Sequence, residues 1–194
     1  MFRILLIATL SLTTGYKMGG LQELIDKVSP KAQKVAEKVQ GDALMTMDYV
    51  KGNEGYSAEV YDDTENLKTI AYGFNLEDET TRGLLPSDVV SGKRKITREE
   101  ADDAFGKRFE MAMSDAVSFI GGKGNFSKLT PSQKKAVIDM SYNMGLPRLN
   151  KFTKLREALV TGNKLQAKSE VLNSKYAQSD VPNRALKNAN LMLK

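Results

Sequence analysis

Residues 54–75 read Glu54-Gly55-Tyr56-Ser57-Ala58-Glu59-Val60-Tyr61-Asp62-Asp63-Thr64-Glu65-Asn66-Leu67-Lys68-Thr69-Ile70-Ala71-Tyr72-Gly73-Phe74-Asn75. The hydrophobic period changes inside this stretch. Just upstream, Leu44, Met47 and Val50 recur at helical spacing, and Asp42 offers an N-cap for a helix running to Asn53. Glu54-Gly55 ends that run, with Gly55 available for a left-handed cap. Downstream, Val60-Tyr61 lead into a turn-rich segment at 62–66. Thr69-Ile70-Ala71-Tyr72 then has the β-branched and aromatic content of a strand. The stretch predicts two or three short strands, an antiparallel sheet beside a helix.

Working outward, residues 76–94 read as loop with one short helical turn. Thr97-x-x-Glu100 is a capping-box signature, and a long helix is expected from it to Ile120, with Ala101, Ala104, Phe105, Phe109, Ala112, Ala116 and Phe119 facing the core. Gly121 and Gly122 end it. Thr130-Pro131 starts another helix, carrying Ala136, Val137, Met140 and Met144, and Gly145 stops it. Shorter helices are expected near 149–161, 164–175 and 184–193, with Phe152, Leu155, Leu159, Leu165, Val171 and Leu172 as core. Toward the N-terminus, Leu21, Leu24, Ile25 and Val28 share one helical face. Ser29-Pro30 restarts a helix whose stripe is Ala32, Val35, Ala36 and Val39, and Gly41 closes it. The fold class is therefore α+β and mostly helical. Residues 1–41 form an N-terminal extension and 42–194 the domain.

The chain has no cysteine and no histidine. Disulfides, thiolate metal sites, Ser-His and Cys-His catalysis and histidine-based zinc sites are excluded; carboxylates are the expected general acid and base, and serine with lysine stays open but is carried by no motif. No cofactor and no metal is expected. The net charge is +5, from 29 basic and 24 acidic residues, and residues 1–41 hold six Lys/Arg against three Asp/Glu. In the body of the chain the charges are mixed rather than striped. This reads as ordinary solubility, and no nucleic-acid partner is expected. Arg3 followed by the apolar run from Ile4 to Leu12 resembles a secretory signal. The run is shorter than the roughly 20 apolar residues of a membrane span. It reads either as an export or anchor segment or as a helix docking on a partner.

Two carboxylates in unlike surroundings suit glycoside hydrolysis: an acid to protonate the leaving oxygen, and a base or nucleophile across the sugar ring. Glu54 stands at a helix C-terminus, where the negative end of the dipole and partial desolvation both disfavour ionisation, as a general acid requires. For its counterpart, Asp62 and Asp63 face opposite ways in an extended chain, and the residues alone do not choose between them.

The full pattern is E-G-x7-D-x5-T-I-x-x-G, with Asp63 nine positions after Glu54 and Thr69 six after Asp63. It is followed in order by Ile96-Thr97-x-x-Glu100-Ala101, Asn143-Met144-Gly145 and Pro182-Asn183-Arg184-Ala185. This resembles the phage-type lysozymes, the muramidases with which bacteriophages open peptidoglycan. The resemblance runs from Asp42 to the C-terminus. It implies a lysozyme-like two-lobed fold: a small sheet in the N-terminal lobe, a long connecting helix, a helical C-terminal lobe and a cleft between lobes. It selects Asp63 and implies catalytic roles for Glu54, Asp63 and Thr69. Arg184 is implied as the ion-pair partner of the catalytic Glu, with Asn183, Gly73 and Tyr142 in support.

The implied reaction is cleavage of the β-1,4 bond between N-acetylmuramic acid and N-acetylglucosamine, with inversion. Inverting enzymes separate the carboxyls by roughly 6.5–9.5 Å and retaining ones by about 5–5.5 Å. The expected partner is peptidoglycan, with a membrane or a virion or tail component meeting residues 1–41. The expected site of action is the cell wall, reached by export or within a virion. Phe74 stands where the family commonly has His, Ala71 replaces a common Gly, and tryptophan is absent. Competing readings are a lysozyme-like domain reused as an inactive structural part, a membrane or nucleic-acid binder, and a lytic transglycosylase, whose chemistry needs only the acid.

Overall fold

A helix of 25 residues, α1 (Pro30–Glu54), leads directly into the stretch quoted above. The computed structural model describes residues 30–63 and 66–194 of the chain. The apolar run at 4–12 and the Leu21–Val28 stripe lie outside the described residues, as do Ser29 and the side chains of the Ala32–Val39 stripe. No helix among the described residues is long and apolar enough to cross a membrane.

Pro30 opens α1, where its missing N–H has no partner to lose. The expected break at Gly41, with Asp42 as a new N-cap, does not occur. The Asp42 carbonyl instead accepts a hydrogen bond from Thr46 Oγ1 at 2.8 Å, within a continuous helix. An interior glycine costs only about 1 kcal/mol relative to alanine, and good helix formers on both sides carry propagation through it. α1 ends where Gly55 takes φ 69°, and Lys51 in the last turn complements the helix dipole.

Three strands follow: β1 (Ser57–Asp62), β2 (Lys68–Ala71) and β3 (Phe74–Asn75), antiparallel in the order β1-β2-β3. Ser57 pairs with Ala71, but Tyr61 pairs with Thr69 and Asp62 with Lys68, so the ladder is irregular between Ser57 and Tyr61. The loop expected at 76–94 contains two short helices, α2 (Glu79–Arg82) and α3 (Ser87–Val90). Asp78 caps α2 by accepting from the Thr80 and Thr81 N–H groups.

The long helix α4 (Arg98–Phe119) begins as expected. The Thr97 N–H donates to Glu100 Oε2 at 3.0 Å and the Glu100 N–H to Thr97 Oγ1 at 3.2 Å, a reciprocal capping box. All seven residues of its expected apolar stripe are buried. Arg94 pins the same helix start through Asp88 and Glu100, at 2.7 Å each. That contact, with the Thr97 N–H, holds the Glu100 carboxyl down at about 2.

The chain divides into two compact units, Met1–Glu110 and Met111–Lys194. In the first, Val50, Ile70, Tyr72, Phe74, Val89 and Phe105 are fully buried. The Tyr72 ring lies 5.2 Å from that of Phe105, edge to face. Phe74, in the place of the family's common His, is core.

The second unit is helical: α5 (Lys123–Lys128), α6 (Pro131–Leu149), α7 (Thr153–Thr161), α8 (Lys164–Leu172), a π turn (Tyr176–Asp180) and α9 (Pro182–Leu191). Thr130 and Gln133 form a second capping box at the start of α6. Gly145, at φ 69° and ψ 164°, leaves the helical region and stops the first helical run as expected; a second run follows at once, and α6 spans both across the kink. Leu165 is a correction: it is 76 % exposed. In α8 the buried residues Ala167 and Val171 stand four apart on one face, and Leu165 lies off that stripe. Apart from these corrections, the architecture is the expected one, mostly helical with a small antiparallel sheet.

Candidate active site

Glu54 is the last residue of α1 and is half-buried, with its Oε1 shielded from solvent. The turn joining β2 to β3 passes directly over it. Gly73 in that turn has φ 77°, and a β-carbon there would stand 3.0 Å from Glu54 Oε2. Only a residue without a side chain both adopts the angle and leaves the carboxylate its space. Ala71, at the other end of the same turn, holds φ 54°. The left-handed backbone is thus kept at the position where the family commonly has Gly.

The helix end and the turn share an anchor. Tyr72, next to Gly73, donates its hydroxyl to Asp102 Oδ1 in a short hydrogen bond. Lys51, one turn before Glu54, donates to the same oxygen at 2.8 Å. Burial pushes the Asp102 carboxyl up, but the hydrogen bonds from Lys51 and Tyr72 outweigh it and hold the group below its ordinary value. Asp102 on α4 therefore ties α1 to the turn that covers Glu54.

Asp63 follows β1 and closes the hairpin. Its N–H donates to the Leu67 carbonyl at 3.0 Å, and its Oδ1 accepts from the Leu67 N–H at 2.9 Å. The other oxygen, Oδ2, lies 3.5 Å from Thr69 Oγ1. Thr69, buried on β2, also reaches the Leu67 carbonyl at 3.1 Å. A hydroxyl has one proton to donate, so this contact and the one to Asp63 are alternatives. The register separates the two aspartates. Asp62 pairs across the ladder with Lys68 at 2.7 Å in an exposed ion pair, whereas Asp63 faces Thr69.

Tyr61 was not anticipated. It pairs with Thr69 across the ladder. Burial raises its phenol, and the negative charges of Asp63 and then Glu54 raise it further, so both carboxylates act on one ring. The available signal was its position two residues before Asp63, which puts both on one face of an extended strand.

The first unit thus holds Glu54, Asp63, Thr69 and Gly73. The other three expected residues belong to the second. Tyr142 is buried, and Asn183 is exposed on the first turn of α9. Arg184 is buried and binds Asp139, itself wholly buried on α6, through Nε to Oδ2 at 2.9 Å and Nη2 to Oδ1 at 2.8 Å. Asn188, one turn after Arg184, donates to Asp139 Oδ2 at 2.6 Å and to the Tyr176 hydroxyl at 3.1 Å. Sequence reading missed Asp139. A carboxylate inside the apolar run Ala136-Val137-Ile138-Asp139-Met140 is a signal, since a buried charge demands a partner.

A family model described as phage lysozyme matches residues 51–188. No curated protein matches the chain.

Proposed function

Since the chain belongs to the phage lysozyme family, a family of peptidoglycan-hydrolysing glycosidases, we propose that it cleaves the β-1,4 bond between N-acetylmuramic acid and N-acetylglucosamine. Glu54 is the general acid. Protonated, it gives its proton to the glycosidic oxygen as the bond to the anomeric carbon breaks. Asp63 is the base. It takes a proton from a water whose oxygen attacks the same carbon from the opposite face, giving inversion. Thr69 holds that water. The 3.5 Å between Thr69 Oγ1 and Asp63 Oδ2 suits a water that bonds to both. The functional roles of Arg184, Asn183 and Tyr142 rest on the family resemblance.

The observation that carries this reading is the unlike treatment of the two carboxylates. Glu54 is packed under a glycine with one oxygen shielded from water. Asp63 has one oxygen fixed by a backbone N–H and the other turned to a hydroxyl. A proton donor benefits from the first setting and an ionised base from the second.

The test is digestion of purified peptidoglycan by the full chain beside Glu54→Gln, with mass analysis of the fragments. Reducing muramic-acid ends from the wild type, and none from a variant of unchanged Tm, are expected. Anhydro-muramic ends would replace this reading with lytic transglycosylation. A folded, inert wild type would favour a structural role for the domain. The cell wall is the site of action on this reading, and residues 1–41 deliver the domain there, by export or as part of a virion.

A further inference from the structure

The hairpin presents a row of side chains on the face that carries Asp63 and Thr69. Tyr61 and Asp63 stand two apart in extended chain and point the same way. Tyr61 is the direct cross-strand partner of Thr69, and Thr69 in turn pairs with Asn75, so Tyr61, Thr69 and Asn75 are neighbours across that face.

Two of the three side chains are engaged. Thr69 is buried on Leu67 and Asp63, and the Asn75 amide oxygen accepts from the Glu77 N–H at 2.8 Å. Tyr61 differs. It is 39 % exposed, and its hydroxyl has no hydrogen-bond partner among the described residues. The other exposed aromatic of this region, Tyr56, already carries the Arg98 guanidinium 4.2 Å above its ring and Tyr72 at 5.3 Å.

A phenol is an apolar plate with a polar tip. An amino-sugar ring is its complement, with an apolar C–H face and an edge of hydroxyl and acetamido groups. A phenol is protonated at neutral pH, and burial, then the nearby carboxylates, raise its pKa further, so Tyr61 offers a donor on this face.

We propose that Tyr61 is a substrate-binding residue, its ring stacked on the C–H face of a sugar beside the scissile bond and its hydroxyl donating to an oxygen of that sugar. The assignment rests on the muramidase reading above. Tyr61 takes no part in proton transfer. It holds the glycan in register between Glu54 and Asp63, contributing to binding rather than to the chemical step.

The test separates this assignment from the reading it rests on. A soluble peptidoglycan-derived oligosaccharide is titrated calorimetrically into the full-length Glu54→Gln chain, then into Glu54→Gln carrying Tyr61→Phe or Tyr61→Leu. Hydrolysis by the wild type is assayed in parallel. The expected result is binding weakened about tenfold by Tyr61→Leu and about threefold by Tyr61→Phe. Equal affinity in all three chains, with a wild type that cleaves, overturns Tyr61 alone. A wild type that neither cleaves nor, as Glu54→Gln, binds overturns both. If Tyr61→Leu unfolds, Tyr61→Phe decides, because it keeps the ring: weakened binding supports the assignment and unchanged binding overturns it.

Discussion

Gly73 and Glu54 are in contact through an absence: the missing β-carbon of Gly73 would sit 3.0 Å from Glu54 Oε2. The atom it would strike is the free end of a flexible side chain, so in Gly73→Ala the carboxylate yields rather than the backbone. The variant also meets a positive φ, which costs about 1–2 kcal/mol for an L residue. A modest fall in Tm, with at least a tenfold loss of peptidoglycan hydrolysis, is the expected outcome. Activity should fall much further than stability, because a displacement of about 1 Å at a reacting group can cost 10²-fold. Calorimetry beside a turbidity assay checks it, and a loss of stability with full activity would refute it.

The adjacent aspartates Asp62 and Asp63 should respond oppositely. Asp62 forms an exposed pair with Lys68, of the kind worth about 0–1 kcal/mol, so Asp62→Asn should leave both Tm and turnover nearly unchanged. Asp63→Asn should lower turnover by about 10²–10⁴-fold, the usual contribution of a general base. Initial rates of the two variants on one batch of cell wall decide the matter. Comparable losses in both would remove the distinction drawn from the register.

Arg184 and Asp139 form a buried, bidentate pair. Removing the cation alone leaves a carboxylate in the core, so Arg184→Met should cost about 3–5 kcal/mol. Neutralising the partner as well, in Asp139→Asn with Arg184→Met, should restore a good part of that loss. Urea denaturation of the two variants gives the comparison. A double variant less stable than Arg184→Met would refute the account.

Glu100 sets a pH dependence. Its carboxyl falls from an ordinary 4.5 to about 2, chiefly through its hydrogen bonds with Arg94. A depressed carboxyl stabilises the fold fully above its unfolded value and loses that stabilisation as pH falls through its folded value. The Tm difference between wild type and Glu100→Gln should therefore be constant above pH 5 and shrink steadily down to pH 2. The pair with Arg94 is reached by solvent, so the difference is small and salt should reduce it further. A gap that widens with acid would refute the assignment.

The features legible from sequence were local ones. Thr97 and Glu100 are three residues apart, and the stripe from Ala101 to Phe119 repeats at helical spacing. The cap and the buried face could therefore be read without knowing what they pack against. Gly41 shows the limit of local signals, because a glycine marks an end only when its neighbours also stop favouring helix. Leu165 shows another: apolar character says nothing about which face of α8 meets the core.

The site divides along the same line. The spacing of Glu54, Asp63 and Thr69 is visible in the chain. The choice between Asp62 and Asp63 depends on strand register, and so does the neighbourhood of Tyr61. Register was not legible because the irregularity between Ser57 and Tyr61 shifts the ladder. The partnership of Arg184 with Asp139 spans 45 residues, beyond the reach of any periodic pattern.

That span has a consequence for how the protein is made. Synthesis runs from the N-terminus and domains fold as units. Asp139 therefore leaves the ribosome well before the guanidinium that neutralises it, and Gln133 waits longer still for the Met192 carbonyl it binds. Until α9 emerges, helix α6 carries that carboxylate among apolar neighbours before its guanidinium is made, and burying that face is costly. The second unit is thereby kept from closing on the nascent chain, and its packing is deferred until α9 has been made.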